Sequence, residues 1–237
     1  GFISDLNRSR TSSISSSRAC WTTWALRIPW ENVGAMDAEP RNRDSERVAL
    51  FPLNVVLFPG GLLPLRIFEP RYLRMVSECL RSDAPFAVAA IIEGPEVGGI
   101  ASTAQSGTLA RIIDWEQQDD GLLGLLCQGE QMFSLRGVSV EHDQLLRAEI
   151  VRLPRAEPQP LPQGFSWMAG VLDDLLHRMG APFERLVLPD PTADHVAARL
   201  IEILPLPLAE KQALFETSGA IDRLSRLAGL IHLQRGN

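Results

Sequence analysis

Few residues in this 237-residue chain have types and spacing that could do chemistry. A serine–lysine dyad would have to use Lys211, the only lysine. It follows Glu210 in a helical pattern and reads as exposed helix surface. A nucleophile elbow needs G-x-S-x-G on a strand-to-helix turn. The nearest string, Gly164-Phe165-Ser166-Trp167-Met168, fails at its last position, so Ser166 reads as a polar residue near a helix start. A phosphate cradle needs G-x-x-x-x-G-K-[ST], which does not occur, and the glycine-rich stretch Gly94 to Gly99 has no lysine. His142, His177, His195 and His232 lack any compact metal-binding spacing. Asp190, Asp194 and His195 could converge, but an aspartate at a helix start more readily caps the helix and complements its dipole. Asp173-Asp174 reads as a solvated face. Cys20, Cys79 and Cys127 are odd in number and widely spaced, which argues for a reducing compartment and buried thiols rather than disulfides or a metal site. The sequence therefore predicts no enzyme, no cofactor and no metal.

The elements around these residues are easier to read. Val48 to Val76, VALFPLNVVLFPGGLLPLRIFEPRYLRMV, alternates apolar runs with Pro52, Pro59, Pro64 and Pro70. Val48–Phe51, Val55–Phe58 and Leu62–Phe68 read as strands. Pro52 and Pro59 suit strand ends or edges, because proline offers no N–H to a ladder. Pro59-Gly60-Gly61 is a turn, with a glycine where a β-carbon would be resisted. Pro70 fits the first turn of a helix. Tyr72, Leu73, Val76, Cys79 and Leu80 then share a helical face.

Phe86–Glu93 reads as a buried strand and Gly94–Gly107 as a polar loop. Thr108–Glu116 and Leu122–Gln128 read as strands joined by a hairpin at Asp120-Gly121. Gln131–Val140 and Leu145–Leu153 add two more, with a turn at Glu141-His142-Asp143. Several short, closely spaced strands predict a closed or nearly closed barrel with one helix packed on it. Alternating prolines from Pro154 to Pro162 predict an extended connector. Helical periodicity follows in four runs: Phe165–Met179, Val196–Leu204, Leu208–Thr217 and Ile221–Leu233. Residues 1 to 35 differ from the rest. They are serine-rich and aperiodic, with Arg8, Arg10, Arg18 and Arg27 against Asp5 and Glu31. The natural chain is expected to begin near Met36, leaving a non-native leader; a transit peptide or a disordered tail are the alternatives.

The Val48–Val76 wording resembles the opening of the Lon protease N-terminal, substrate-binding domain. ILPLPLAEKQALFETSGAIDRLSRLAGLI, SGTLARI and GLLCQGEQMFSL are similar to later parts of that domain and occur in the same order. The resemblance covers about residues 46 to 235. It implies an α+β fold: a PUA-like β-barrel with one packed helix, followed by a C-terminal helical bundle. The expected organisation is a disordered or non-native leader at 1–45, a barrel lobe at 46–153, a proline-rich linker at 154–162 and a helical lobe at 163–237. It also implies a stand-alone module without the ATPase and peptidase of the full protease.

The function so implied is non-catalytic binding of peptides or unfolded protein segments, as an adaptor in proteolysis with a Lon-type protease as a further partner. The cleft between barrel and helical lobe is the natural place for it. Phe58, Leu62 and Leu63, in the proline-bounded turn, are candidate peptide-binding residues, together with the loop Gly94 to Ser106. PUA-like barrels are also used for RNA, which makes an RNA-binding protein the alternative. The net charge of −6 and the lack of basic–aromatic interleaving count against it. No apolar run is long enough to span a bilayer, and the expected location is cytoplasmic.

Overall fold

A computed structural model describes residues 45–93, 102–118 and 122–235. Strands β1 (Glu46–Leu53) and β2 (Leu62–Ile67) lead into helix α1 (Pro70–Ser82). Strands β3 (Phe86–Glu93), β4 (Ser102–Gln117), β5 (Leu123–Val140) and β6 (Leu146–Arg152) follow. Beyond them lie α2 (Ser166–Met179), α3 (Ala193–Ile203), α4 (Leu208–Phe215) and α5 (Ala220–Arg235). The fold is α+β, with one mixed sheet and helices.

The sheet order is β2-β5-β4-β3-β1-β6, with β1 and β3 parallel and the other neighbours antiparallel. β5 is long enough to serve two partners. Its first half pairs with β2, from Ile67↔Leu123 to Leu62↔Gln128, and its second half with β6, from Phe133↔Arg152 to Val140↔Leu146. The line β5-β4-β3-β1-β6 thus returns to β5. Pro52 falls where this pattern tolerates it: β6 pairs with β1 only as far as Leu50, so at Pro52 the strand is bonded to β3 alone.

Helix α1 begins at Pro70, where the missing N–H costs nothing. It buries Tyr72, Met75, Val76 and Cys79 against Ala49, Phe51, Phe86 and Cys127 of the sheet. A second cluster lies within the sheet, around Leu50, Leu109, Phe133, Ala148 and Ile150. The third joins the last four helices through Met168, Leu172, Val196, Leu200, Leu214, Phe215, Leu224 and Leu227. Val56, Phe58, Ala90 and Ala104 carry that cluster onto the sheet side.

Three readings of the sequence need correction. Val55–Phe58 is not a strand, although Val56, Leu57 and Phe58 are buried. Ser102–Gly107 belongs to β4 rather than to a loop, and Leu122–Gln128 and Gln131–Val140 are parts of one strand. Glycine misled both latter assignments. A β-carbon at Gly107 would meet Val88 O and the Phe133 ring, and one at Gly129 would meet Phe58 O. These glycines allow close approach within strands; they do not mark turns. The leader, the stretch Gly94 to Gly99 and the Asp120-Gly121 hairpin lie outside the described residues. The proline-rich segment before α2 is extended and largely exposed. It is tied to α3 by a Pro160–Thr192 bridge and by the Ala193 N–H, which donates to Gln159 O at 2.8 Å.

Candidate functional site

The segment Leu57-Phe58-Pro59-Gly60-Gly61 crosses from the sheet toward α3 and is fixed from both sides. On the sheet side Thr108 Oγ1 donates to Leu57 O (2.6 Å), Gly60 N–H to Gly129 O (2.8 Å) and Gly129 N–H to Gly61 O (2.9 Å). Gly60 has φ +79°, the left-handed region that suits glycine. On the helix side Phe58 N–H donates to Glu202 Oε1 at 2.6 Å, and Arg199 Nη2 donates to Pro59 O at 3.2 Å. Arg199 and Glu202 are themselves paired, with Nε 2.8 Å from Oε2 and Nη2 3.0 Å from Oε1. A β-carbon at Gly61 would fall inside the Glu202 carboxylate, so this glycine makes room for the pair.

Arg199 is 1% exposed and the Glu202 side chain 13%. Burial pushes the Glu202 carboxyl up to about 7, against the opposing pull of Arg199, the Phe58 N–H and Lys211. Lys211 is half-buried rather than surface-exposed. Its Nζ donates to Glu202 O at 2.8 Å, and burial lowers its pKa.

Phe58, Pro59 and Gly60 form the floor of a cleft of about 530 Å³. One wall is Gln128–Met132 of β5. A second is Leu153–Ala156 with Pro158, and a third is Thr192, Asp194, His195 and Ala198 with Arg223 of α5. The Arg223 guanidinium stands 5.5 Å from the Phe58 ring centre, lies 3.7 Å from Asp194 Oδ1, and donates from Nε to Thr217 O at 3.0 Å. Phe215 meets the Phe58 ring edge-on at 4.9 Å.

The three candidate peptide-binding residues therefore separate. Phe58 is buried, and it lines the cleft from beneath. Leu62 is half-buried on β2, opposite Gln128, and Leu63 is buried in the cluster beneath α1. Neither lines the cleft. Ser166 is exposed at the start of α2. Thr192, not Asp190, caps α3, accepting from the His195 N–H at 3.2 Å. Asp194 accepts from Gln159 N–H at 3.3 Å. His195 Nε2 lies 2.9 Å from Leu186 O, and burial pushes its pKa down. Cys79 and Cys127 are buried free thiols, and burial raises both, Cys79 to about 11. Among the described residues no group of three or more His, Cys, Asp or Glu could hold a metal ion. No helix among them is long and apolar enough to cross a membrane.

Sequence reasoning missed Arg199, Glu202 and Arg223. The available signal was weak: Arg199 and Glu202 interrupt the apolar run of α3, three residues apart.

Lon protease 2 of Myxococcus xanthus is 25% identical over 194 residues, which is 78% of this chain and 23% of the relative. Protein cereblon of Danio rerio is 32% identical over 111 residues, 45% of this chain and 25% of the relative. The chain spans about a quarter or less of the length of the curated relatives it matches. The crystal structure of a Lon N-terminal domain protein from Xanthomonas campestris superposes with a TM-score of 0.63 at 29% identity, covering 78% of this chain and 98% of that one. The N-terminal domain of Mycobacterium avium complex Lon protease shares the fold, with a TM-score of 0.54 at 18% identity over 77% of this chain and 96% of that one. A family model for the ATP-dependent protease La (LON) substrate-binding domain matches residues 47–232. With the mixed sheet, its α1 cover and the following helices falling inside that match but for Glu46 and the last three residues of α5, the chain belongs to the LON substrate-binding domain family.

Proposed function

We propose that this chain is a recognition module for peptides or unfolded protein segments, held in the cleft over Phe58. The observation that carries the reading is the cleft itself. It lies between sheet and helices, and its apolar floor is rimmed by polar and charged groups, as orientation of a bound chain requires. The family's description as substrate-binding supports it. The return of β6 to β5 supports a PUA-like barrel at 46–153, and the common core of α2 to α5 supports a helical bundle at 163–237. The proline-rich segment 154–162 joins them along one side of the cleft. Binding without cleavage would suit an adaptor that delivers segments to a Lon-type protease.

The test uses fluorescein-labelled casein, an unfolded protein, with anisotropy as the readout. Casein should bind, and binding should change little between about 50 mM and 200 mM salt, a range over which contacts to RNA phosphates would weaken steeply. Ala156 is exposed on the cleft wall, so Ala156→Trp fills the cleft without touching a core. It should weaken binding about tenfold, equivalent to 1.4 kcal/mol. No binding, or binding unchanged by Ala156→Trp, would overturn the reading. Salt-sensitive binding of single-stranded RNA in place of casein would establish the RNA alternative.

A further inference from the structure

We propose that Glu202, held by Arg199, is the positioning residue of the cleft: it fixes the Phe58–Gly61 turn as the cleft floor and so sets peptide affinity. The proposal rests on the peptide-binding reading above. Glu202 does not line the cleft, and it acts through the backbone of residues that do. Its Oε1 accepts from Phe58 N–H and from Arg199 Nη2 together, while Oε2 pairs with Arg199 Nε. Arg199 in turn holds Pro59 O. The floor is thereby tied to α3, whose first turn supplies the facing wall through Thr192, Asp194 and His195. The clamp ties floor to wall beside the contact of Arg223 with the Phe58 ring.

The clamp needs the carboxylate. A protonated Glu202 loses its ionic attraction for Arg199, and a proton on Oε1 competes with the two hydrogen bonds that this oxygen accepts. Burial has raised this group to about 7. The charged groups facing it are Arg199 on its own helix and Lys211 from α4. The turn itself, Phe-Pro-Gly-Gly, brings none. Arg223 of α5 faces the other side of Phe58, paired with Asp194. His195, also on α3, is pushed below its ordinary value and is the competing titratable group.

Peptide affinity should therefore fall as pH falls through about 7. A group with that pKa goes from about 10% protonated at pH 8 to about 90% at pH 6. If only the ionised form is competent, the apparent dissociation constant for labelled casein rises about ninefold. In Glu202→Gln the step should vanish, leaving weak binding at both pH values. A second measurement needs no variant: in the parent chain, the Phe58 amide proton resonance should titrate with a midpoint near 7. Casein binding with no pH step overturns the proposal alone. A step that persists in Glu202→Gln shows that another group, such as His195 or the phosphoserines of casein, carries it and also overturns the proposal, as does a Phe58 amide that does not titrate in this range. Failure of casein to bind at any pH overturns the peptide reading, and the proposal with it.

Discussion

Tyr72, the only tyrosine, lies 5% exposed with its ring stacked on Phe51 at 4.1 Å between centroids. It is the point at which α1 is locked to the sheet. Tyr72→Ala removes a buried ring and leaves a cavity in the cluster beneath α1. It should cost about 3–5 kcal/mol, read as a lower urea midpoint with an unchanged slope. Tyr72→Phe keeps the ring and should cost clearly less. A Tyr72→Ala variant as stable as the parent would mean that the ring contributes no packing. The role of Tyr72 was legible in the sequence because an aromatic residue on an apolar helical face has few other uses. The roles of Arg199 and Glu202 were not, because a charged pair at helical spacing is normally surface. What makes this one buried is Gly61, which is distant in sequence and whose missing side chain makes room for it.

At the scale of elements, α1 is also held by ions. Arg74 bonds Glu78, Glu141 and Asp143, and Arg147 bonds Glu78 and Glu141, joining α1 to the β5–β6 turn. Hydrogen bonds from Arg74 hold Asp143 below its ordinary value. Glu141 is also lowered, because its bonds to Arg147 and Arg74 outweigh the opposing effect of its burial. Depressed carboxyls stabilise the folded state above their unfolded values of 3.8 and 4.5, and that contribution is lost as pH falls through the depressed folded values. Glu202 acts with the opposite sign. Its raised folded value favours the protonated form, so its contribution is full below 4.5 and is lost as pH rises through about 7. Thermal melting across pH should show both limbs. Arg74→Met should remove much of the acid limb and leave the neutral one. An unchanged acid limb would mean that the network is solvated and contributes nothing.

The elements themselves were read from periodicity with fair success, α1 and the helices after Pro162 above all. Val55–Phe58 failed for a physical reason. Its apolar run is buried as strands are, but Phe58 N–H and Leu57 O bond to the side chains of Glu202 and Thr108 instead of to a neighbouring strand. Composition reports burial, and only the partner of each backbone group distinguishes a strand from a buried turn.

Across the whole molecule, this same turn joins sheet and helices. Phe58 sits in the helical core cluster, packs on Phe215 and carries Arg223 over its ring, yet it belongs to the chain between β1 and β2. On the sheet side Val56, Ala90 and Ala104 are smaller, and Met132 of β5 packs on the cluster only partly buried. Cooperativity between sheet and helices should therefore depend on Phe58 more than on any other residue. Its burial predicts that Phe58→Ala costs about 3–5 kcal/mol. Its location predicts something more specific than a loss of stability. In the parent, hydrogen exchange along a urea series should show the sheet strands and α2 to α5 merging into one global opening. In Phe58→Ala the helices should open at lower urea than β1, β3 and β4, because the lost ring packs in the helical cluster and on Phe215. If both halves of the variant still open together, the coupling is carried elsewhere, by the Arg199–Glu202 clamp to Pro59 and Phe58 or by the bonds of Ser106 to Gln212 and Glu216. Adding Glu202→Gln to Phe58→Ala would then separate them. A double variant that still unfolds in one step would show that sheet and helices are a single cooperative unit irrespective of this turn.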